Sequence, residues 1–212
     1  MRCYCTYFDK KYLMRGIALA LSLQAHEHAR YKLFVVCLDE ITRILLEKLA
    51  LPNLIPIPLH SLEQDNECLA QPRRERLFFE YYWTLTPVIL DWLFKRYPVL
   101  QALTYLDADL FFFSSPDPIF DECRDCSVLI HEHRFTPAFK DLERHGRFNV
   151  GLLFFRRDVE GMAVLDDWRE KCLAWCFARL EDGKFGDQLY LNAWPNTFTG
   201  VSILQNIGGG VA

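Results

Sequence analysis

Short apolar runs alternate along the chain with longer segments in which apolar residues recur every three or four positions. Runs rich in β-branched and aromatic side chains are typical of buried strands, and the longer periodic segments are typical of amphipathic helices. The predicted strands are residues 2–8, 32–38, 53–59, 127–130 and 148–155, with another ending at residue 106; the predicted helices are residues 13–25, 40–49, 73–97 and 159–180. This alternation predicts a mainly parallel sheet covered by helices on both faces.

Two segments depart from this regularity. Residues 53–59 contain Pro56 and Pro58, which favours an edge strand because proline cannot donate to a neighbouring strand. Residues 61–72 are polar and predict a mobile connection. Within the long helix at 73–97, Pro87 predicts a bend.

The most distinctive stretch is Asp107-Ala108-Asp109, which lies between the apolar runs 104–106 and 110–113, both predicted as strand. Carboxylates without partners are costly in apolar surroundings. Side chains at positions i and i+2 of an extended chain share a side, so both carboxylates can face one object. This arrangement favours a hard divalent cation, Mg²⁺ or Mn²⁺, bound together with substrate phosphates. The alternative is one aspartate that caps a turn and another that pairs with an arginine.

Composition and charge narrow the class of protein. At 212 residues, 51% hydrophobic and 25% charged, the chain suits one α/β domain or two small ones. Its net charge of −4 offers no general attraction to nucleic acid or to an anionic membrane. No apolar run approaches the ~20 residues of a transmembrane helix, and the N-terminus lacks a secretory pattern. We therefore expect a cytoplasmic protein without a transmembrane segment.

The eight cysteines allow two interpretations. Without a secretory signal, disulfides are not expected in a chain of this length. Cys123 and Cys126 have the spacing of a metal knuckle, and Cys172 and Cys176 could complete a four-thiolate zinc site. However, Cys172 and Cys176 share the apolar stripe of the predicted helix at 159–180, which favours buried free thiols instead.

Three polar segments are candidates for ligand contacts, two of them after or within predicted strands. Residues 131–134 read His-Glu-His-Arg, either an edge that contacts sugar or phosphate or a satisfied surface cluster. Asn149 and Gly151 interrupt a strand, and glycine there often marks close approach to a ligand. Asp187 and Gln188 follow a glycine-containing turn, where Asp187 alternatively caps the next helix.

Three motifs in this order and at this separation resemble the GT-A-fold glycosyltransferases of the nucleotide-diphospho-sugar transferase superfamily. They are Tyr105-Leu106-Asp107-Ala108-Asp109, Phe148-Asn149-Val150-Gly151 and Asp187-Gln188. The nearest resemblance is to the glycogenin-like and bacterial lipopolysaccharide galactosyltransferase group. It covers nearly the whole chain, including the first strand. It implies an α/β fold with a mainly parallel mixed sheet flanked by helices, the Rossmann-like GT-A fold, in a single catalytic domain at residues 1–212.

The resemblance also implies a function and a set of site residues. It implies a hexosyltransferase-type enzyme that moves a sugar from a nucleotide-diphosphate sugar, by default a UDP-sugar, to a saccharide, glycan or other hydroxyl acceptor. Asp107 and Asp109 would hold Mn²⁺ or Mg²⁺ against the donor diphosphate. The other expected contacts are Thr6, Tyr7, Asp9 and Tyr12 at the base and ribose, Ala108 at the donor, Asn149 and Gly151 at the sugars, and Asp187 and Gln188 as the catalytic pair beside the anomeric carbon.

The chain departs from the family pattern near its C-terminus. Members of the group often supply a third metal ligand as His in a His-x-x-Gly segment, where this chain reads Asn206-Ile207-Gly208-Gly209. An amide oxygen is an acceptable but neutral and weaker ligand for these metals, so Asn206 is the expected third ligand. The family pattern continues beyond this loop, whereas this chain stops at Ala212. The expected domain is therefore either complete or shortened there.

The expected mechanism follows from these roles, and two other classes compete with it. The cation neutralises charge on the departing nucleoside diphosphate, and Asp187 stabilises an oxocarbenium-like transition state. Phosphatases of the haloacid dehalogenase type also carry a strand followed by Asp-x-Asp, but they have Thr or Val where this chain has Phe111. A catalytically degenerate domain that binds a sugar nucleotide or a partner would suit the missing His and the short C-terminus.

Overall fold

Seven strands form one sheet in the computed structural model, which describes residues 1–208. The strands are β1 (Arg2–Phe8), β2 (Tyr31–Cys37), β3 (Leu54–Pro58), β4 (Ala102–Leu106), β5 (Val128–Glu132), β6 (Phe148–Arg156) and β7 (Val201–Ile203). Their order across the sheet is β3-β2-β1-β4-β6-β5-β7. β6 is antiparallel to both of its neighbours, and the other four pairings are parallel. The predicted α/β class with a mainly parallel mixed sheet is confirmed, and β3 is an edge strand as its prolines predict.

Helices connect most of these strands. The α-helices of the described residues are α1 (Leu13–His26), α2 (Glu40–Leu49), α3 (Leu59–Gln64), α4 (Ala70–Glu75), α5 (Phe78–Arg96), α6 (Asp117–Glu122), α7 (Val159–Ala174) and α8 (Trp194–Thr197). Segments of 3₁₀ helix cover Glu67–Leu69, Pro137–His145 and Leu189–Ala193. Within this part of the chain, no helix combines the length and the apolar character that crossing a bilayer requires.

The sheet separates two hydrophobic cores. The helices α5, α7 and α8 pack on one face, and α1, α2 and α6 pack on the other. Residues of β6 divide between the cores: Leu153 and Phe155 belong to the first, and Leu152 and Phe154 to the second. Strand alternation requires this division in a sheet that is buried on both sides.

The strand directions bring three loops together at one edge of the sheet. β1, β4 and β5 end at this edge, and β6, which runs the opposite way, begins there. The register places Leu106 opposite Leu152 and His131 opposite Asn149. Segments that follow β4 and β5 therefore lie beside the start of β6, at the carboxyl ends where open α/β sheets bind ligands.

The predicted helix at 73–97 is two helices, and the break has a clear cause. The Arg76 guanidinium turns inward and donates to the carbonyl oxygens of Cys172 and Leu173, at 2.7 and 2.6 Å. Glu80 then caps the new helix α5 by accepting from the Leu77 amide at 2.9 Å. The residues 61–72, predicted as a mobile connection, instead contain α3, a 3₁₀ turn and the start of α4.

Two other boundaries also differ from the prediction. The helix predicted to reach residue 180 ends at Ala174. The run at 110–113 is not a strand, because the Leu110 amide donates to the Asp107 carbonyl and closes a turn. Phe111 and Phe113 consequently lie on the surface, 48% and 84% exposed.

The cysteines correct one expectation and exclude the zinc alternative. Cys123 and Cys126 form a disulfide, so the prediction that the chain has none is wrong. Cys123 and Cys126 belong to the core under α1 and α6, whereas Cys172 and Cys176 are fully buried in the core on the other face of the sheet. The four sulfur atoms cannot meet at one ion, and Cys172 and Cys176 act as small apolar residues.

Candidate active site

Asp107 follows β4 directly and lies at the carboxyl edge of the sheet. Its amide nitrogen donates to the Gly151 carbonyl on β6 at 2.8 Å, and the Tyr105 hydroxyl donates to its carboxylate at 2.7 Å. Burial raises the pKa of Asp107 to about 6; the Tyr105 hydrogen bond opposes this, and the charge of Asp109 adds to it. The carboxylate is held in place but is poorly neutralised by the protein.

Asp109, one residue further, is much more exposed. Half of its side-chain surface is accessible, and the Arg15 guanidinium lies 3.9 Å away, at the limit of an ion pair. Among the residues that the structure describes, no His, Cys, Asp and Glu side chains gather in groups of three or more that could hold a metal ion. The described residues therefore place two neighbouring carboxylates here, Asp107 and Asp109.

A cavity of about 460 Å³ opens between the ends of β1 and β4 and the start of α5. This volume is in the range of small-molecule sites, ~300–1,000 Å³. We call it the larger cavity. Its walls combine aromatic rings with three aspartates and one lysine, and they are Tyr7, Phe8, Asp9, Lys11, Tyr12, Leu38, Phe78, Phe79, Tyr82, Trp83, Tyr105, Asp107, Ala108 and Asp109.

Two residues predicted at the nucleotide lie differently from the rest. The Tyr7 ring lines the larger cavity, but its hydroxyl is directed inward and bonds to the Tyr82 carbonyl and the Thr86 hydroxyl, both at 2.9 Å. Thr6 has no exposed surface and lines neither this cavity nor the next. Strand alternation explains the contrast, since neighbours in β1 face opposite sides of the sheet. The side chain of Thr6 is therefore directed away from the larger cavity.

A second cavity, of about 130 Å³, adjoins the first and is called the smaller cavity here. It is lined by Tyr7, Trp83, Thr86, Tyr105, Asp107, Asn149, Val150, Phe185, Gly186, Asp187 and Gln188. Four of its residues, Tyr7, Trp83, Tyr105 and Asp107, also line the larger cavity. Asp107 is thus the carboxylate at the junction of the two.

Asp187 is the buried carboxylate of the smaller cavity, only 6% exposed. Burial raises its pKa to about 7, and the charge of Asp107 raises it further. The Thr86 hydroxyl lies 3.4 Å from the carboxylate, and the Trp168 indole donates to the Asp187 carbonyl at 2.9 Å. The N-cap of the following 3₁₀ helix is Gln188, so Asp187 does not occupy the capping position.

Asn149, Gly151 and Gln188 complete the polar wall. Asn149 Oδ1 accepts from the Gly151 amide at 2.6 Å, and Gln188 Nε2 donates to the His145 carbonyl at 2.9 Å. A Cβ on Gly151 would lie 2.9 Å from Asn149 Oδ1 and 3.1 Å from Asp107 Oδ2. Glycine is required at position 151 because the strand passes directly against both polar groups.

Asn206 lies apart from these residues. Its side-chain oxygen accepts from the Gly208 amide at 2.8 Å, and its own amide donates to Glu122 at 2.7 Å. It is not among the residues that line the two cavities. Gly209, which belongs to the same segment of the family pattern, lies outside the described residues.

Several site residues were not predicted from the sequence. Thr86 and Trp83 belong to α5, where they are indistinguishable in pattern from the buried face of a long helix. Phe185 precedes Gly186 and Asp187, and its aromatic character near a turn was the available signal. Tyr105 could have been found, since it is two residues before Asp107 on the same side of the chain.

Comparison with known proteins places these features in a family. The family model for nucleotide-diphospho-sugar transferases matches residues 28–194, which include Asp107, Asn149, Asp187 and their neighbours but not the residues of β1. The chain is 37% identical to the uncharacterized protein YfnF of Bacillus subtilis (strain 168), over 97% of this chain and 69% of that protein. It is 30% identical to YfnD of the same organism, over 99% of this chain and 67% of that protein.

Solved structures share the fold at low sequence identity. Mouse xyloside xylosyltransferase 1 in its apo form has a TM-score of 0.59 at 14% identity, over 96% of this chain and 84% of that one. The galactosyltransferase LgtC, solved with donor and acceptor sugar analogs, has a TM-score of 0.55 at 17% identity, over 95% of this chain and 72% of that one. The bifunctional glycosyltransferase WbbM has a TM-score of 0.58 at 17% identity, and the match covers 38% of its chain. These likenesses confirm the GT-A fold, and together with the family match they show that the chain belongs to the nucleotide-diphospho-sugar transferase family and is a glycosyltransferase.

Proposed function

We propose that this glycosyltransferase uses a UDP-sugar as donor, depends on Mn²⁺ or Mg²⁺, and transfers the sugar to a hydroxyl of a saccharide or glycan. The observation that carries the proposal is the position of Asp107, which lines both cavities. A nucleotide-diphosphate sugar has a nucleoside at one end, a sugar at the other and a diphosphate between them. The larger cavity, Asp107 and the smaller cavity follow each other in the same order.

The larger cavity suits the nucleoside. Tyr12, Phe78 and Phe79 offer aromatic faces, and stacking on aromatic rings is a general way to bind a base. Asp9 offers a carboxylate that can accept hydrogen bonds from a ribose hydroxyl or a base N–H. Lys11 is the cation among the lining residues; its ammonium lies 5.5 Å from the centre of the Phe78 ring.

The two carboxylates suit a divalent cation. Asp107 has one hydroxyl donor and forms no ion pair with the described residues, and the second carboxylate adjoins it two positions along the chain. Hard cations such as Mg²⁺ are commonly bound by one or two carboxylates plus substrate phosphates and water, which agrees with a site that has too few protein ligands to be complete. When bound, the cation would supply positive charge to the departing diphosphate. The protein's part is to fix Asp107 through Tyr105 and the backbone of Gly151.

The smaller cavity suits the sugar and the reacting carbon. Asn149 and Gln188 can hydrogen-bond sugar hydroxyls, and Trp83 and Phe185 exclude water. Asp187, when ionised, stabilises the positive charge that develops at the anomeric carbon during transfer. The charges of Asp187 and Asp107 repel each other, and a bound cation would reduce that repulsion.

The test is a thermal-shift panel of nucleoside diphosphates and nucleotide sugars, each with and without Mn²⁺ or Mg²⁺. A ligand at 100 times its dissociation constant stabilises a fold by about 2.7 kcal/mol, so the donor should stand out. The donor that binds is then incubated with candidate saccharides, and nucleoside diphosphate release is measured. Binding without hydrolysis or transfer would support the degenerate binding domain, and binding of no nucleotide would contradict the proposal.

A further inference from the structure

His133 lies just beyond the end of β5, behind the polar wall of the smaller cavity. Its Nδ1 atom is 3.4 Å from Nδ2 of Asn149. The side chain of Gln188 is close enough to raise the pKa of His133 against the lowering effect of burial. Asn149 and Gln188 are the two amides of the smaller cavity, and His133 is the side chain that approaches both.

The atoms involved define the form of the imidazole. Asn149 Oδ1 is occupied by the Gly151 amide at 2.6 Å, so Nδ2 is the atom that faces the ring. An amide nitrogen only donates, and Nδ1 must therefore accept. A neutral imidazole that accepts at Nδ1 carries its proton on Nε2. Nε2 is buried, and it makes no hydrogen bond to any of the residues that the structure describes.

Gln188 offers the matching acceptor. Its Nε2 is already committed to the His145 carbonyl at 2.9 Å, which leaves its Oε1 for a donor. A buried donor without a partner is unfavourable, so a hydrogen bond from His133 Nε2 to Gln188 Oε1 is favoured. The ring itself is fixed in place, because it stacks on Phe135 with centroids 4.6 Å apart and planes 13° apart.

The backbone around His133 is fixed as well. Its amide donates to the Arg147 carbonyl at 3.0 Å. Arg134 has a positive φ of 54°, and its guanidinium donates to the carbonyl oxygens of Leu204 and Asn206, both at 3.0 Å. The imidazole is thus anchored by its own backbone, and not by the amides that it contacts.

We propose that His133 is a positioning residue of the smaller cavity, whose imidazole bridges Asn149 and Gln188 and sets the direction in which both amides face a bound sugar. The inference rests on the proposed function, because it requires a sugar in that cavity. It assigns no contact between His133 and the substrate. Its consequence is selective: His133 affects recognition of the sugar and leaves recognition of the nucleoside diphosphate unchanged.

The test compares UDP with UDP-glucose and UDP-galactose, with dissociation constants measured by calorimetry in the presence of Mg²⁺. His133→Phe keeps an aromatic ring on Phe135 but removes both nitrogen atoms. For the UDP-sugar that the parent binds more tightly, we expect affinity to fall about fivefold to tenfold, the usual effect of losing a hydrogen bond or two. Affinity for UDP should stay within about twofold, which also shows that the variant is folded.

Two further variants separate the ring nitrogens. His133→Asn places an amide oxygen near the position of Nδ1, and His133→Gln places an amide N–H near that of Nε2. Each should recover part of the sugar-specific loss, which a role in packing alone does not predict. The inference is overturned if His133→Phe keeps the parent's ratio of UDP-sugar to UDP affinity, or if it weakens UDP and the UDP-sugars equally. If the parent binds neither UDP nor a UDP-sugar, the proposed function fails and the inference fails with it.

Discussion

The two cavities meet at Asp107 but are built in different ways. The larger cavity is lined by three continuous stretches, at residues 7–12, 78–83 and 105–109, together with Leu38. The smaller cavity draws its lining from five separate places in the chain: the end of β1, the middle of α5, the end of β4, the start of β6 and residues 185–188. The first is mostly aromatic, and the second is small and contains the buried carboxylate of Asp187.

This difference suggests that the larger cavity supplies affinity for the donor and that the smaller cavity supplies the groups that react. Aromatic faces at the rim of the larger cavity can bind a flat group without much reorganisation. The smaller cavity instead holds Asp187 at a raised pKa of about 7, an arrangement that is unfavourable in the empty protein. Raised pKa values of this kind concentrate where catalysis needs them. Variants that affect one cavity and not the other therefore test whether binding and reaction are divided in this way.

The strongest test removes the group that the cavities share. Asp107→Asn keeps the shape of the side chain and removes its charge, so the metal-dependent part of UDP binding should be lost. The parent should gain about 2.7 kcal/mol of stability at 100 times the dissociation constant of UDP with Mn²⁺, and the variant should gain almost none. Asp109→Asn, which changes only the larger cavity, should lose the same gain.

A melting curve for each variant without ligand is the control, since both substitutions should leave the fold intact. If both variants bind UDP with Mn²⁺ as well as the parent does, the two carboxylates do not hold a cation. If only Asp109→Asn fails, Asp107 serves the sugar and not the diphosphate.

The next test acts on the smaller cavity alone. Asp187→Asn removes the charge beside the anomeric carbon, and losses on the order of 10²–10³-fold follow when one such electrostatic contact is removed from a transition state. We expect that loss in the turnover of the donor, measured as UDP release, while UDP affinity remains within twofold of the parent. Equal turnover in the variant and the parent would remove Asp187 from the reaction.

The sequence predicted residues of both cavities, and the residues of α5 that it missed line both. The Asp-x-Asp stretch is continuous, so its apolar flanks and its spacing singled out Asp107 and Asp109, whereas Tyr7 and Asp9 were implied by the family resemblance. Thr86 reaches the smaller cavity only through the packing of α5 against the sheet, a tertiary relation that no short pattern encodes. The break at Arg76 was missed for a similar reason, because its carbonyl partners on α7 are 96 and 97 residues away.

A smaller effect is expected from pH on the protein without ligand. In the folded state the pKa of Asp187 is raised from 3.8 to about 7, so between these values the folded state holds a proton that the unfolded state has released. Stability then falls as pH rises through this window and is level above it. Between pH 6 and pH 8 this group should cost on the order of 1 kcal/mol. Urea titrations of the parent and of Asp187→Asn at both pH values measure it, and the variant should lack this part of the slope. An equal slope in both proteins would show that the Asp187 carboxyl titrates at its ordinary pKa.

The smallest effect is expected at Asn206, which lies outside both cavities. A substitution there tests whether the C-terminal segment moves to the metal site when a donor is bound. Its side-chain oxygen now accepts from the Gly208 amide, so it must release that bond before it can reach a cation. If it does, Asn206→His should strengthen Mn²⁺ binding in the presence of UDP by about fivefold, because imidazole suits transition metals better than an amide does. Mg²⁺ binding should change much less, since Mg²⁺ prefers oxygen ligands.

Titration of each metal into the UDP complex gives the comparison, with Asn206→Ala as the matched variant that offers no ligand. Equal changes for both metals, or none for either, would show that Asn206 is not a ligand. Asp107 and Asp109 would then be the protein's ligands to the cation, and the donor diphosphate and water would supply the others.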